Sequence, residues 1–515
     1  MSRRSSRNDS AIQRPRHRST AKQRPAGPYS RRLRFEPLED RRLLSITVNT
    51  LVDEADGSIV DGDISLRDAI VAAPVGETID FSVTGTISLT SLGQLTINKN
   101  LTINGPGANL LTIKAYDPDA NGANDGDGSR VFNIDDGNAA NVLNVSISGL
   151  TLTNGDSLTS GGAIRSMENL VLTDSTVSGN WSSIRGGGIY SNGANSQLTL
   201  VRSTVSGNAA LNNGAGVATF FGNTSIDLST ISGNFGNFSG GGVFQYGGQL
   251  TVTRSTISGN STNNRGGIYT ALGTHTISDS LVLYNTSLLS GSDKGGGGIG
   301  KYGGSLTITN TTLSRNTADQ NGGGILNDGG TLTVRHSTLT NNWSDVDTVS
   351  GGQGGAIFVG SGTVSVDHTI VAFNLSGFFL RDDIFGAVAA SSAYNLIGVN
   401  TNLTGISNGT NGNQIGTDAA PINPLLGQLI DNGGPTKSYS LLPGSPAIDA
   451  GNAAIATPPS DDQRGAPFAR IADGDGAGGA RIDIGAYERQ TVPGLNLVVD
   501  TLFDEYDSNF AAGDL

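Results

Sequence analysis

The side chains best placed to do chemistry in this chain are oxygen donors set two residues apart. The segment Asp117-Pro-Asp119-Ala-Asn121-Gly122 matches the D-x-[DN]-x-[DN]-G opening of a calcium loop. Carboxylate and amide oxygens at alternate positions, followed by a glycine that permits a sharp turn, suit a hard cation. Asp117, Asp119 and Asn121 are therefore candidate ligands for Ca²⁺. The twelfth position of such a loop is Gly128, where a bidentate carboxylate belongs, and Asp125 and Asp127 are the nearby substitutes. The competing reading is an acidic surface loop.

Other polar residues are ordered by a repeat that places Asp174, Arg202, Leu228, Arg254, Asp279, Asn310, His336 and His368 in one column. Its two aspartates lie four repeats apart, roughly 19 Å at strand spacing. Cleavage of a glycosidic bond needs carboxylates about 5 to 9.5 Å apart, so these cannot form a hydrolytic pair. Arg254 beside Asp279 reads as a surface ion pair. His336 and His368, one repeat apart, could share a metal, but Asp367 precedes His368 on a strand and points to the other face, which leaves a third ligand missing. Asp382 and Asp383 fail the same alternation test unless they form a turn. Asp345 and Asp347 share a face if extended, but the rhythm breaks there and places them in a solvated loop. Asp449, Arg464, Asp483 and Glu488 read as buried charged pairs locking an irregular segment rather than as a catalytic set. No catalytic residue and no required cofactor follow from these patterns.

The elements that must carry these residues are short strands. Glycine supplies 75 of 515 residues, about twice its usual share of roughly 7%. From residue 160 one pattern recurs eight times. Its first half is a glycine-rich lead into an apolar strand, as in Gly161-Gly-Ala-Ile164, Gly186-Gly-Gly-Ile189, Gly240-Gly-Gly-Val243 and Gly322-Gly-Gly-Ile325, often with an aromatic next, as at Tyr190, Phe244, Tyr269 and Phe358. Its second half is an alternating strand and then Ser-Thr-Val-Ser-Gly-Asn or a variant, ending at Asn180, Asn208, Asn234, Asn260, Asn285, Asn316, Asn342 and Asn374. The asparagines are 28, 26, 26, 25, 31, 26 and 32 residues apart, a period that fits a β-solenoid coil and is too short for a propeller blade.

Within a coil, Leu198, Leu200 and Val205 must all face inward, which no single strand allows, so a bend belongs near Val201–Thr204. A coil then has about three strands and at least two tight corners. The expected fold is all-β: a right-handed parallel β-helix over residues 81–400, clearest over 160–374, with an N-terminal cap and an irregular C-terminal cap. The asparagine column reads as an internal ladder of stacked amides rather than an external binding row.

Charge divides sharply. Residues 1–45 hold thirteen basic and four acidic residues, leaving 19 basic against 41 acidic beyond, near −22 for the body. Phosphate binding needs a basic stripe, so a nucleic-acid partner for the body is excluded. The chain has no cysteine, and packing and backbone ladders must supply its stability. No run of eighteen apolar residues exists, so no helix spans a bilayer.

Four segments resemble known families. The tail, residues 1–45, is expected to be disordered, and its Arg31-Arg-Leu-Arg-Phe-Glu-Pro-Leu-Glu-Asp-Arg-Arg-Leu-Leu-Ser45 resembles the N-terminal motif of large planctomycete surface proteins, which implies export. Ser30-Arg31-Arg32 offers a twin-arginine alternative but lacks the apolar stretch that should follow. Residues 46–80 resemble the CSLREA domain, most specifically over Ser65-Leu66-Arg67-Asp68-Ala69-Ile70. Ser65 with Asp68 suggests a capping box opening a short helix, with Leu66, Ala69 and Ile70 facing the first coil. That family carries cysteine where this chain has Ile64, and a second is suspected near Ile59. Residues 499–515 align without gaps to Val48–Ile64, so 491–515 reads as a truncated second copy and the chain as a monomeric fragment of a longer one.

The repeats over 160–374 are similar to those of chlamydial polymorphic outer-membrane proteins, which implies a surface adhesin. Residues 401–490, with Asn423–Gly451, Asp462-Gln-Arg-Gly465 and Asp483-Ile-Gly-Ala-Tyr-Glu488, closely resemble the choice-of-anchor Q domain, which implies a closing segment on an exported protein. The expectation for function is an exported cell-surface or extracellular protein with a structural, adhesive or carbohydrate-binding role, non-catalytic, with polysaccharide or cell-surface components as partners. The alternatives are a polysaccharide lyase or glycoside hydrolase on the β-helix face, and an autotransporter-like adhesin passenger.

Overall fold

The computed structural model describes residues 45–60, 62–118, 125–288, 295–348 and 351–490. The basic tail, the second CSLREA-like copy, Asp119 and Asn121 lie outside the described residues.

The coil between residues 189 and 210 shows how the sequence makes the fold. Ile189–Asn192 and Gln197–Val201 are strands of one long sheet, Thr204–Ser206 belongs to a second sheet and Ala209–Ala210 to a third. Each pairs in parallel with the next coil: Ile189 with Val217, Leu198 with Thr224, Thr204 with Thr230, Ala209 with Phe235. Repetition of this step builds sheets of 22, 13 and 10 strands among the described residues, a parallel β-helix. Ile189, Leu198, Leu200 and Val205 are wholly buried, and with their apolar counterparts they form one continuous core, the Leu198 position alone turning polar at Thr224 and His275.

Three corners make the coil close. At the first, the column from Asp174 to His368 is left-handed in all eight coils, with φ between 46° and 52°. Asp174, Asp279 and Asn310 carry the Asn or Asp side chains that tolerate this region best, while Arg202, Leu228 and Arg254 each carry strain of about 1 kcal/mol or more. The next residue repays it. The N–H groups of Ser175, Ser203, Ser229 and Ser255 donate to the hydroxyls of Ser203, Ser229, Ser255 and Ser280 one coil on, at 3.0 to 3.3 Å. The second corner precedes the asparagine column. Each amide there donates across to the next, for example Asn208 Nδ2 to Asn234 Oδ1 at 2.9 Å and back to Val177 O at 3.0 Å. The ladder runs unbroken from Asn180 to Asn374 and ends on Asp383 Oδ1 at 2.9 Å. The third corner is the glycine-rich one, where Gly186 has φ +63° and a Cβ on Gly187 would lie 2.1 Å from Ala209 O. No other residue fits there.

The helix Leu66–Ala72 covers the first coil. Ser65 caps it, accepting the Asp68 N–H at 3.0 Å and donating to the Asp68 carboxylate at 2.7 Å, while Leu66, Ala69 and Ile70 join the core. At the other end, residues 424–490 fold back along the flank of the second sheet. Thr312 Oγ1 donates to Gln463 Oε1 at 2.6 Å, Ala486 N to Thr338 Oγ1 at 3.0 Å, and Ser314 bonds Tyr439 Oη at 2.9 Å. Strands that alternate elsewhere are buried on both faces here, as at Thr312–Ser314, Thr338–Thr340 and Ile370–Ala372.

Candidate functional site

The residue after the core isoleucine or valine at the start of each coil points outward, as does the one two further on. Strand pairing sets these side chains in two rows: Tyr190, Ala218, Phe244 and Tyr269, then Asn192, Phe220, Tyr246, Ala271 and Tyr302. Small residues at Ala218, Ala271 and Gly300 interrupt the rows and leave gaps beside the rings. Ring centroids lie 5.9 Å apart for Tyr190 and Phe220, 5.1 Å for Phe220 and Phe244, and 5.0 Å for the stacked Phe244 and Tyr269. Phe221, at a left-handed corner, meets Tyr246 edge-on at 5.6 Å.

Two guanidinium groups lie on this strip. Arg185 sits 4.6 Å above Phe220, and Arg265 sits 5.4 Å from Tyr269 and 5.8 Å from Tyr302. Gly300 lets Arg265 lie flat, since a Cβ there would come within 2.7 Å of the arginine stem. Arg265 also reaches Asp328 at 3.4 Å. Burial pushes the Tyr269 phenol up, and Arg265 opposes the shift. Tyr190, Phe244 and Tyr269 are buried among their neighbours, and toward the corner the strip opens to solvent, with Phe221 54%, Tyr302 50% and Leu272 44% exposed. Flat apolar faces edged by phenols and guanidinium donors suit a ligand that is itself apolar on one face and polar at its rim.

A second concavity, about 410 Å³, is lined by Asp135, Asn138, Asn141, Glu168, Asn192 and Ser196 among others. Its carboxylates are occupied with holding the chain. Glu168 Oε2 accepts the Leu143 N–H at 2.8 Å, Asp136 Oδ2 accepts Asn141 Nδ2 at 2.6 Å, and Asp135 Oδ2 pairs with Arg165 at 2.9 Å. Burial raises the Glu168 carboxyl, and the backbone donors oppose that. The nearest oxygens of Asp135, Asp136 and Glu168 fall within 4.8 Å of one another, closer than a two-carboxylate glycosidase requires.

Of the calcium-motif residues, Asp117 is half-buried and accepts Asn154 Nδ2 at 3.4 Å. Arg254 pairs not with Asp279 but with Asp227 on the coil before it, at 2.6 Å. Asp279 instead takes Asn310 Nδ2 at 3.1 Å, and burial near the closing segment raises it. The arginine reaches backward because the left-handed corner swings its side chain toward the preceding strand. Asp345 is buried and accepts the Gly351 N–H at 3.2 Å, so it is not in a solvated loop. Asp382 and Asp383 are both buried because they do lie at a turn, after the antiparallel pairing of Leu375–Ser376 with Leu380–Arg381.

His336 and His368 lie with ring centroids 4.9 Å apart and planes tilted by 33°, and Tyr394 stacks on His368 at 5.1 Å. Their nitrogens serve the closing segment: Asn452 N donates to His368 Nε2 at 3.1 Å and the Arg470 guanidinium lies 3.4 Å from His336 Nδ1. A neighbouring cation is incompatible with a metal ion at that nitrogen. The charged residues of the closing segment lock it together. Arg464 pairs with Asp462 at 2.6 Å between the rings of Phe468 and Tyr487, and Arg470 lies 4.0 Å from Glu488. Asp483 accepts the Asp449 and Arg489 N–H groups at 2.6 and 2.7 Å.

The first aromatic row is visible in the sequence as the residue after the Gly-Gly-Gly-Ile-like elements, whereas Phe220, Tyr246 and Tyr302 are not marked by that pattern. The signal was present: those residues stand three after the core isoleucine or valine and two after the first row, on the same face of the strand. No family model, no curated protein and no solved structure matches this chain.

Proposed function

We propose that this chain is an exported β-helix with a binding rather than a catalytic role, and that its aromatic strip is a platform for polysaccharide. The observation that carries the reading is the strip's open edge: Phe221 and Tyr302 stand about half exposed beside the packed rings Phe220, Phe244, Tyr246 and Tyr269, with Arg185 and Arg265 upon them. A sugar ring has an apolar face of C–H groups and a rim of hydroxyls. Stacked aromatic faces cover the first, and guanidinium and phenol groups bond the second. A strip that repeats from coil to coil suits a ligand that also repeats. Export rests on the resemblance of Arg31–Ser45 to a surface-protein motif, and the acidic body agrees with it.

The non-catalytic part of the reading is supported by the carboxylates. Asp328 beside the strip pairs with Arg265, and in the acidic cleft Asp135, Asp136 and Glu168 are engaged by Arg165, Asn141 and the Leu143 N–H.

The test is a panel of polysaccharides, scored both for retention of the chain and for release of reducing or unsaturated ends. Retention without release is expected. Phe221→Ala and Tyr302→Ala, both at exposed positions, should each weaken retention about 5-fold, the effect of losing about 1 kcal/mol of aromatic contact. Reproducible product release would establish the lyase or hydrolase alternative instead. Retention indifferent to both substitutions would remove the strip as the platform.

A further inference from the structure

Between the strands Leu111–Lys114 and Phe132–Ile134 the chain makes an excursion whose returning part, Asp125–Ser129, folds onto Asp156 in the following coil. Glycine makes the approach possible. A Cβ on Gly128 would lie 2.7 Å from Tyr116 O and 3.0 Å from Asp156 Cβ. Asp156 N donates to Ser129 O at 3.0 Å, and its Oδ2 accepts the Gly126 N–H at 2.9 Å.

Three carboxylates meet as a result. One oxygen from each of Asp125, Asp127 and Asp156 lies within 4.8 Å of the others. Asp125 and Asp127 are exposed, but Asp156 is only 3% exposed, and its other oxygen, Oδ1, has no hydrogen-bond partner. A buried carboxylate oxygen without a donor is destabilising by more than an ordinary lost hydrogen bond. Burial raises the Asp156 carboxyl, the Gly126 and Asp125 N–H groups oppose this, and the charges of Asp125 and Asp117 raise it further. A buried carboxylate with one free oxygen, clustered with two further carboxylates, is satisfied by a cation.

We propose that Asp125, Asp127 and Asp156 bind a calcium ion that fastens this excursion to the side of the helix. The donors are all carboxylate oxygens, which favours a hard ion over zinc or copper. Two of the three stand on an exposed loop, where ligand positions adjust and water completes the shell, and this suits calcium's irregular geometry better than the strict octahedron of magnesium. The site differs from the Asp117-Pro-Asp-Ala-Asn-Gly motif, since two ligands come from beyond that motif and the third from the next coil.

Calorimetric titration of the full chain with calcium chloride tests it, alongside thermal unfolding with and without the ion. Binding with Kd about 10⁻⁴ M and a raised Tm are expected. Asp156→Asn keeps an acceptor for Gly126 and should weaken binding about 10-fold or more. Asp125→Asn, on the exposed loop, should do the same without touching the fold. Asp136→Asn, in the separate acidic cleft, should leave binding unchanged. The proposal fails if calcium at about 10 mM gives neither heat nor a Tm shift, if both loop and coil variants bind as well as the parent, or if magnesium chloride binds equally.

Discussion

Inside the first strand of six successive coils the second inward position is polar: Ser191, Thr219, Gln245, Thr270, Lys301 and Asn327 stand in register and are at most 1% exposed. Lys301 is the costly member. Its ammonium donates to Gly329 O, and burial pushes it down to about 8 from 10.5, with Asp328 opposing. His275, also buried, is lowered mainly by burial and further by Lys301. For a lysine with a depressed folded pKa, the unfolded chain binds more protons between about pH 8 and 10.5, so stability rises with pH across that window. Below it the full penalty, about 3 kcal/mol, is present. Lys301→Met removes the charge while filling the same volume. It should therefore stabilise the chain at pH 7 by up to about 3 kcal/mol, and the difference from the parent should shrink toward zero by pH 10.5. Denaturant titrations at several pH values measure this, and a lysine that instead serves as a structural anchor would show the variant less stable at every pH.

At the scale of elements, the second sheet and the closing segment depend on each other. Ile370, Ala372, Leu396, Leu441, Ala447 and Ile484 form a small core between them, and the histidine column supplies polar contacts at its edge. Burial holds His368 down to about 4, assisted by Arg470 and Arg335, and lowers His336 by burial first and then by Arg470, His368 and Arg335. Both are neutral at pH 7, which lets His368 Nε2 accept the Asn452 N–H. Because these folded pKa values lie below the unfolded one, the unfolded or undocked state binds more protons from about pH 6.5 downward. Docking should weaken as pH falls from about 6.5 to 4. Limited proteolysis across that range should cut residues 424–490 earlier than the coils, and His368→Gln should flatten much of the dependence. Cleavage of the coils first, or a pH profile unchanged by the substitution, would show that the histidines do not control docking. This arrangement was not legible in the sequence. The pattern of apolar residues reported the coils, the helix at Leu66–Ala72 and its cap, since each follows from local spacing. Contacts such as Arg470 with His336 join residues 134 apart, in segments with no period, and no local rule pairs them. The left-handed corner was placed correctly near Arg202 from the phase shift of Leu198, Leu200 and Val205, while the hydroxyl ladder beside it went unread because serine there looks like ordinary turn chemistry.

For the whole molecule, the coil is the unit of stability. Each coil bonds mainly to its two neighbours through three parallel ladders, the asparagine amides and the hydroxyls after the first corner, so the chain is close to one-dimensional in its energetics. The period then matters more than the particular coil. Residues 235–260 span one full turn, from the strand start at Phe235 to the ladder residue Asn260, 26 residues in all. Deleting them joins Asn234 to Ser261, which already pair their columns with Asn260 and Phe235, so every ladder can re-form in register. That variant should fold, keep the parent's far-UV spectrum per residue, and shorten the rod by about 4.8 Å, which small-angle scattering can follow through the radius of gyration. Deletion of 248–260 alone, half a turn, joins Gly247 to Ser261 and so sets third-sheet residues against the long sheet, out of register with every ladder, and it should yield an aggregating or unfolded chain. The full-turn deletion also removes Phe244 and Tyr246 from the middle of the aromatic strip. A folded variant that has lost polysaccharide retention would separate the two roles of the coil: its ladders carry the fold, and its outward rings carry the binding.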